Sequence, residues 1–305
     1  MRALFIDAND TLAAVTDRLL RGTGLAVEIN RNPNLTPEDL ARLLAGFTIA
    51  IIDHTALPTP IAAQCKSLKH VVFLGTGARS YMNPEELAGY GIAVHTIKGY
   101  GDTAVAECAI ALMWASAKGL ARMDREMRGG NWLRTEAMQL TGKTLGLIGF
   151  GGIAAEAARI ALGTGMKVIA WNRTPKSYPG VTFVPLEQLL AESHVVSLHL
   201  LLNDETMNFV SRERIQAMRP GAILINTARG AVVDEAAMID ALRSGQLAHA
   251  GLDVFNIEPL PSDHVLTRLP NVTLSAHSAF RTPEASDNLI RAALEHCRRI
   301  ITAGR

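Results

Sequence analysis

Three segments in the second half of the chain carry side chains suited to anion binding and proton transfer. In "INTARGAVVDEAAMIDALRSGQL", Arg229 follows an apolar run and sits in a turn closed by Gly230. In "AGLDVFNIEPLP", Asp253 ends a second run and Glu258 stands before Pro259. In "VTLSAHSAF", His277 follows a third. A guanidinium can grip a carboxylate and its neighbouring carbonyl oxygen through paired N–H donors. A histidine can donate a proton near neutral pH, and a carboxylate at its other ring nitrogen fixes the tautomer. Singly, each has a plain alternative: a surface arginine, a loop carboxylate, a capped or core histidine. Their shared position argues against coincidence. All three follow strand-like runs, and open parallel sheets bind ligands at the carboxyl ends of their strands.

Upstream, "GLIGFGGIAA" places Gly149, Gly151 and Ala154 at G-x-G-x-x-A spacing between a strand-like run and a helix-like one. The first glycine allows a tight turn, the second lets a pyrophosphate approach the backbone, and the small third residue lets helix and strand pack closely. Free amides at the helix start, from Gly152 and Ile153, then face an anion. Alone such a turn is a weak signal; flanked by a strand, a helix and a second strand it reads as a dinucleotide site. "RGTG", Arg21 to Gly24, lacks that context and reads as a helix-ending loop.

The second strand runs out at "VIAWNRT", 23 residues on (172 − 149). An Asp or Glu there would accept hydrogen bonds from the ribose hydroxyls of NAD and repel a 2′-phosphate. The chain instead has Asn172, Arg173 and Thr174, with Lys176 nearby. Arginine can pair with a phosphate and stack on adenine, and threonine adds a hydroxyl donor. A solvated basic loop unrelated to cofactor choice is the alternative. NADP is the preferred expectation and NAD the second. With the Arg–Glu–His set, the chemistry that fits is hydride transfer to a 2-keto acid: a cation for the carboxylate and an acid for the forming alkoxide.

The elements that must position these groups alternate along the chain. "ALFID", "LAVEIN", "FTIAIID", "HVVFLG" and "IAVHTI" read as strands, with helices such as "LTPEDLARLLAG" and "PEELAGYG" between them. Cap residue, proline, then acid is a good helix start. A long helical stretch, "DTAVAECAIALMWASAKGLARMDREMRGG", reads as a connector. The alternation then resumes through "HVVSLHL", "AILINTA", "AHAGLDVF" and "VTLSAH". The last helix has nowhere obvious to pack in that second unit and is expected to return to the first. The fold class is therefore α/β, with two parallel-sheet domains.

Composition sets the outer bounds. At 305 residues the chain can hold two cores, and 48% hydrophobic with 19% charged residues suits buried parallel sheets. A net charge of +1 points to neither nucleic acid nor an anionic membrane. No run reads as a membrane span or a secretory signal, and Cys65, Cys108 and Cys297 are scattered, as in a cytoplasmic protein with reduced thiols.

The second unit resembles the D-2-hydroxyacid dehydrogenase family. The resemblance rests, in order, on "GKTLGLIGFGGI", "VVSLHL", "MRPGAILINTARGAVVDEAAMIDALRSGQLAHAGLDVF", "EPLP" and "LPNVTLSAH". The first unit is similar more loosely, through "GTGARSYM" and "AVAE". The resemblance implies a Rossmann-type cofactor domain, 99–280, inserted in a flavodoxin-like substrate domain, 1–98 plus 281–305, and commonly a homodimer. It implies Arg229 for substrate, His277 as acid/base and Glu258 as its partner. It also implies that amides near Thr76 and Gly77 take the substrate carboxylate and that Asp253 meets the nicotinamide carboxamide. Thr227 and Ala228 would line the nicotinamide pocket, with Thr206 near the pyrophosphate and ribose.

Three positions depart from the family pattern: Leu201 and Ala276 replace usual prolines, and Arg79 a usual aspartate. Arg79 is either a surface arginine or a site for a second anionic group on the substrate. Phe73 and Leu74 precede the substrate loop where phosphoglycerate members carry arginines, which argues against a phosphorylated substrate. A non-acidic residue plus arginine after the second strand resembles the NADP-using glyoxylate and hydroxypyruvate reductases. His54 and Tyr81 are candidates for shaping the pocket. The family also contains dinucleotide-sensing corepressors, the alternative reading, and formate-oxidising members with long extra segments.

Overall fold

The computed structural model describes residues 1–32 and 35–303; Gly304 and Arg305 of the expected C-terminal segment lie outside the described residues. Packing divides the chain into two units, Met1–Gly101 with the stretch from Arg281 onward, and Asp102–Phe280.

In the first unit, Ala3–Phe5 (β1), Val27–Ile29 (β2), Ile49–Ile52 (β3), His70–Phe73 (β4) and Ala93–Thr96 (β5) form one sheet in the order β2-β1-β3-β4-β5, parallel throughout. This is the flavodoxin-like order. Its helices are Asp10–Leu20 (α1), Pro37–Leu43 (α2), Thr59–Ala62 (α3) and Pro84–Gly89 (α4), joined by the chain's last helix, Pro283–Ala303 (α11). The starts read from sequence carry their caps: Thr36 and Asp39 form a reciprocal capping box on α2, and Asn83 accepts from the Glu86 amide on α4. Alternation along the strands sends Leu4, Ala50, Ile52 and Val71 to one face, against Leu40, Leu44 and Leu87. Ala3, Phe5, Ile49, Ile51 and Val72 go to the other, against Leu12 and Ala13 of α1 and Leu289, Ile290, Ala293 and Leu294 of α11.

The second unit opens with a break in the expected long helix. Asp102–Lys118 (α5) and Leu120–Arg128 (α6) are bent by 65°. The cause is Gly119, which takes a left-handed conformation at φ 63°. No single described helix is long and apolar enough to cross a membrane. Beyond the bend come Thr144–Ile148 (β6), Gly152–Gly163 (α7), Lys167–Trp171 (β7), Val181–Phe183 (β8), Leu186–Glu192 (α8), Val195–Leu198 (β9), Arg212–Gln216 (α9), Ala222–Asn226 (β10), Glu235–Ser244 (α10), Leu247–Leu252 (β11) and Val272–Leu274 (β12). The seven strands are parallel in the order β12-β11-β10-β9-β6-β7-β8. That is the doubly wound Rossmann arrangement, whose order reverses between β6 and β9, the position where such sheets bind dinucleotides. Helices α5 and α7 cover Leu145, Leu147, Val195, Ile223 and Ile225 on one face. On the other, α8, α9 and α10 cover Val196, Leu198 and Leu224.

Candidate active site

The glycine turn sits at that reversal. Gly149 adopts φ 85°, and a Cβ on it would lie 2.5 Å from the His199 carbonyl oxygen at the end of β9, so only glycine fits. Gly151 is the opposite case: it caps α7 with an ordinary φ of −99°, and a Cβ there would meet nothing within 4 Å. Open space above this backbone is what a pyrophosphate needs. The first-turn amides of α7, from Gly152 and Ile153, have no acceptor within the helix, and no acidic residue occupies that turn.

The loop after β7 is tied to the turn. Asn172 Oδ1 accepts the Phe150 amide at 3.0 Å while its Nδ2 donates to the Thr174 carbonyl at 2.7 Å. Lys176 Nζ donates to the Phe150 carbonyl. Both backbone polar groups of Phe150, in two successive peptides of the turn, are thus held by the strand-end loop. Arg173 points outward, 76% exposed, and its Nη1 pairs with Glu205 in the loop after β9. That loop is fastened by Thr206, whose hydroxyl donates to the Leu201 carbonyl at 2.6 Å and accepts the Asn203 amide at 2.8 Å.

Arg229, Glu258 and His277 follow β10, β11 and β12, three adjacent strands of the sheet; Glu258 and His277 are paired, while Arg229 Nη1 donates to the Ala228 carbonyl at 2.7 Å. Buried Asn226 shapes the first turn, accepting the Ala228 amide at 3.0 Å and donating to the Arg229 carbonyl at 2.9 Å. Gly230 packs this turn onto the loop after β11: a Cβ would stand 2.1 Å from Phe255 C and 2.5 Å from Asn256 N. Glu258 Oε1 accepts the Phe255 amide at 2.9 Å, and Oε2 lies 2.6 Å from His277 Nδ1. A carboxylate only accepts, so Nδ1 carries the proton of this bond and Nε2 is the nitrogen left for chemistry. His277 itself is left-handed, φ 48°, a conformation histidine tolerates at some cost. Asp253, 1% exposed, sustains it. Its carbonyl accepts the His277 amide at 2.8 Å, and its carboxylate accepts the Ser278 and Ala279 amides, both at 3.0 Å, and the Ser275 hydroxyl. Thr227, beside Arg229, has a buried hydroxyl with no partner among the described residues, a group suited to a bound ligand.

The remaining expected residues lie in the first unit. Thr76 is exposed on the loop after β4, and Gly77 leads into a 3₁₀ turn, Ala78–Ser80. Asp7, at the end of β1, is 1% exposed and accepts the amides of Asp53, His54 and Thr55 at 2.8–2.9 Å. The neighbouring carboxylate of Asp53 raises the His54 pKa. Arg79 is paired with Glu85 of α4, both exposed, as a surface arginine would be.

A family profile for the NAD-binding domain of D-isomer specific 2-hydroxyacid dehydrogenases matches residues 110–279. The chain belongs to the D-isomer specific 2-hydroxyacid dehydrogenase family. It is 36% identical over 259 residues to a hydroxypyruvate reductase of Thermotoga maritima, covering 83% of this chain and 84% of that protein. It is 40% identical over 218 residues to a glyoxylate reductase of Thermococcus litoralis, covering 67% of this chain and 66% of that one. Among solved structures, an acyclic imino acid reductase in complex with NADPH and D-Arg superposes with a TM-score of 0.89 at 27% identity, over 99% of this chain. As a member of this dehydrogenase family, the chain is an oxidoreductase whose second unit is a nicotinamide-cofactor domain.

Around the candidate site, reading the sequence missed three residues. Asn226 shapes the Arg229 turn, whose closing glycine, Gly230, the sequence indicates. Glu205 faces Arg173 from 32 residues away. Asp102, the first residue of α5, presses on the start of α7: a Cβ on Gly152 would lie 1.8 Å from its Oδ2. Burial, then Glu156, raises the Asp102 pKa. None of the three offered a local signal.

Proposed function

We propose that this enzyme is a reductase of small 2-keto acids of the glyoxylate or hydroxypyruvate type, using NADPH in preference to NADH. The observation that carries the reading is the 2.6 Å His277–Glu258 pair, packed through Gly230 beside the Arg229 turn. The hydroxypyruvate and glyoxylate reductases among its relatives support the substrate class. For the cofactor, the support is an uncharged Asn172, an outward-facing Arg173, and the NADPH carried by the imino acid reductase of similar fold.

When bound, the dihydronicotinamide supplies the hydride to C2 of the keto acid. Arg229 holds the substrate carboxylate and polarises the carbonyl oxygen, where negative charge develops. His277 Nε2 delivers a proton to that oxygen, and Glu258 holds the ring in the required tautomer and orientation. Asp253 fixes the backbone that presents His277, with the nicotinamide carboxamide as a further partner. Gly149, Gly151 and the amides of Gly152 and Ile153 receive the pyrophosphate, with Thr206 beside it. Arg173 and Thr174 receive the 2′-phosphate; Thr227 and Ala228 line the nicotinamide pocket. Amides at Thr76 and Gly77 bind the substrate carboxylate.

The test is a panel of 2-keto acids assayed with NADPH and NADH side by side. Faster turnover of glyoxylate or hydroxypyruvate with NADPH is expected. Equal or better use of NADH would refute the cofactor assignment; tight cofactor binding without turnover of any keto acid would favour the dinucleotide-sensing alternative. We also place the enzyme in the cytoplasm, in keeping with its free thiols, of which burial raises Cys297 to about 12. A homodimer is supported by α6, none of whose side chains is buried, and by Trp132, 75% exposed. Light scattering in solution tests that state.

A further inference from the structure

We propose that Glu205 sets the cofactor selectivity of this enzyme, by competing with a 2′-phosphate for Arg173. The inference rests on the reading of Arg173 as the 2′-phosphate ligand. Glu205 reaches Arg173 from a different strand end, across the point where the sheet order reverses. Its backbone is fixed rather than free. The Glu205 amide donates to Asn203 Oδ1 at 3.0 Å, and the Thr206 hydroxyl closes the same loop onto Leu201 and Asn203. The second cation of the β7 loop, Lys176, is bound to the Phe150 carbonyl, which leaves Glu205 and Arg173 facing each other.

Two consequences follow from charge alone. An ion pair between side chains 76% and 70% exposed is weak, so an incoming phosphate can take Arg173 from Glu205. The displaced carboxylate then stays near a group carrying up to two negative charges and repels it. A ribose 2′-hydroxyl carries no such charge and meets no repulsion. The strand end therefore lacks an acid of its own, at Asn172, yet receives one from the neighbouring loop. Wild-type selectivity for NADP over NAD is held below what Arg173 alone would give, and the enzyme can use both cofactors.

The test is isothermal titration of the oxidised cofactors NADP⁺ and NAD⁺ into wild type, Glu205→Gln and Arg173→Ala, with no substrate present. Glu205→Gln keeps size and hydrogen bonding while removing the charge. It is expected to bind NADP⁺ about three- to tenfold more tightly, with NAD⁺ changed less than twofold. Arg173→Ala is expected to weaken NADP⁺ selectively. Adding Glu205→Gln to Arg173→Ala should recover part of that loss, since the repulsion remains without the arginine. An NADP⁺ affinity in Glu205→Gln that is unchanged or weaker overturns the role of Glu205, while a selective loss in Arg173→Ala would leave the 2′-phosphate reading standing. If Arg173→Ala weakens both cofactors equally, that reading and this inference fall together. Equal melting temperatures for the variants, measured alongside, exclude misfolding as the cause.

Discussion

Gly230→Ala tests how closely the two halves of the proposed catalytic set must approach. A Cβ at this position would stand 2.1 Å from Phe255 C, where real contacts stay above 3.0 Å, so the two backbones must separate by at least 0.9 Å (3.0 − 2.1). No flexible side chain can absorb this, because the obstructing atoms are backbone. Phe255 also donates to Glu258 Oε1, and Glu258 holds His277. A shift of Phe255 therefore moves the acid/base pair away from Arg229. Misplacement of about 1 Å costs roughly 10²-fold in rate, or about 2.7 kcal/mol of transition-state stabilisation. The overpacking itself destabilises by roughly 1–3 kcal/mol. Steady-state kcat/KM for hydroxypyruvate with NADPH, with a melting curve on the same sample, separates the two effects. A folded variant within twofold of the wild-type kcat/KM would refute the positional argument. Gly151→Ala provides the contrast. It meets nothing within 4 Å, so its melting temperature should hold while the cofactor Kd rises at least about tenfold, because the methyl enters space reserved for pyrophosphate.

Other perturbations address the remaining links. His277→Ala should cut kcat by about 10²-fold or more with cofactor Kd within twofold; unchanged turnover would remove it from acid/base chemistry. Asn172→Asp should shift preference toward NADH, and it also loses the donor to the Thr174 carbonyl, so a small fall in melting temperature should accompany the shift. A preference shifted further toward NADPH would contradict it. His249, 7% exposed and bonded to Thr273, is lowered by burial to about 4. Below its unfolded pKa near 6.5 the unfolded chain takes up a proton that the folded chain refuses, so stability falls as pH drops from 6.5 to 4. The loss approaches roughly 3 kcal/mol from this residue, and half-buried His199, also lowered by desolvation to about 4, adds to it with the same sign. Urea midpoints at pH 7 and 4.5 measure the fall, which His249→Asn should lessen; an undiminished fall would count against His249 as a source.

The alternation of apolar runs made the two parallel sheets legible, because strands buried on both faces read as continuous hydrophobic stretches. The glycine turn was legible because its spacing answers a local steric demand. Arg229, Glu258 and His277 were legible as residue types after strands, while the pairing of Glu258 with His277, 2.6 Å apart, was expected from the family resemblance and not from their spacing. What escaped was either short or non-local. Strand β8 has three residues at a sheet edge, none of them fully buried. The bend at Gly119 leaves helical composition on both sides. Asp253 read as a ligand to the cofactor; its bonds to Ser275, Ser278 and Ala279 span more than 20 residues and depend on how two loops meet.

Helix α11 has a further consequence for how the protein is made. Leu289, Ile290, Ala293, Leu294 and Cys297 fill one face of a sheet whose strands all lie before residue 97. A ribosome adding residues from the N-terminus delivers that sheet early and its cover last, after the whole of the second unit. In the interval the apolar side of β1, β3 and β4 lacks part of its lid and is open to wrong partners. The second unit, Asp102–Phe280, is contiguous and can close its core before the first. Nascent chains stalled once residue 280 has cleared the ribosome, with α11 still inside, should therefore hold a protease-resistant second unit beside a cleavable first one.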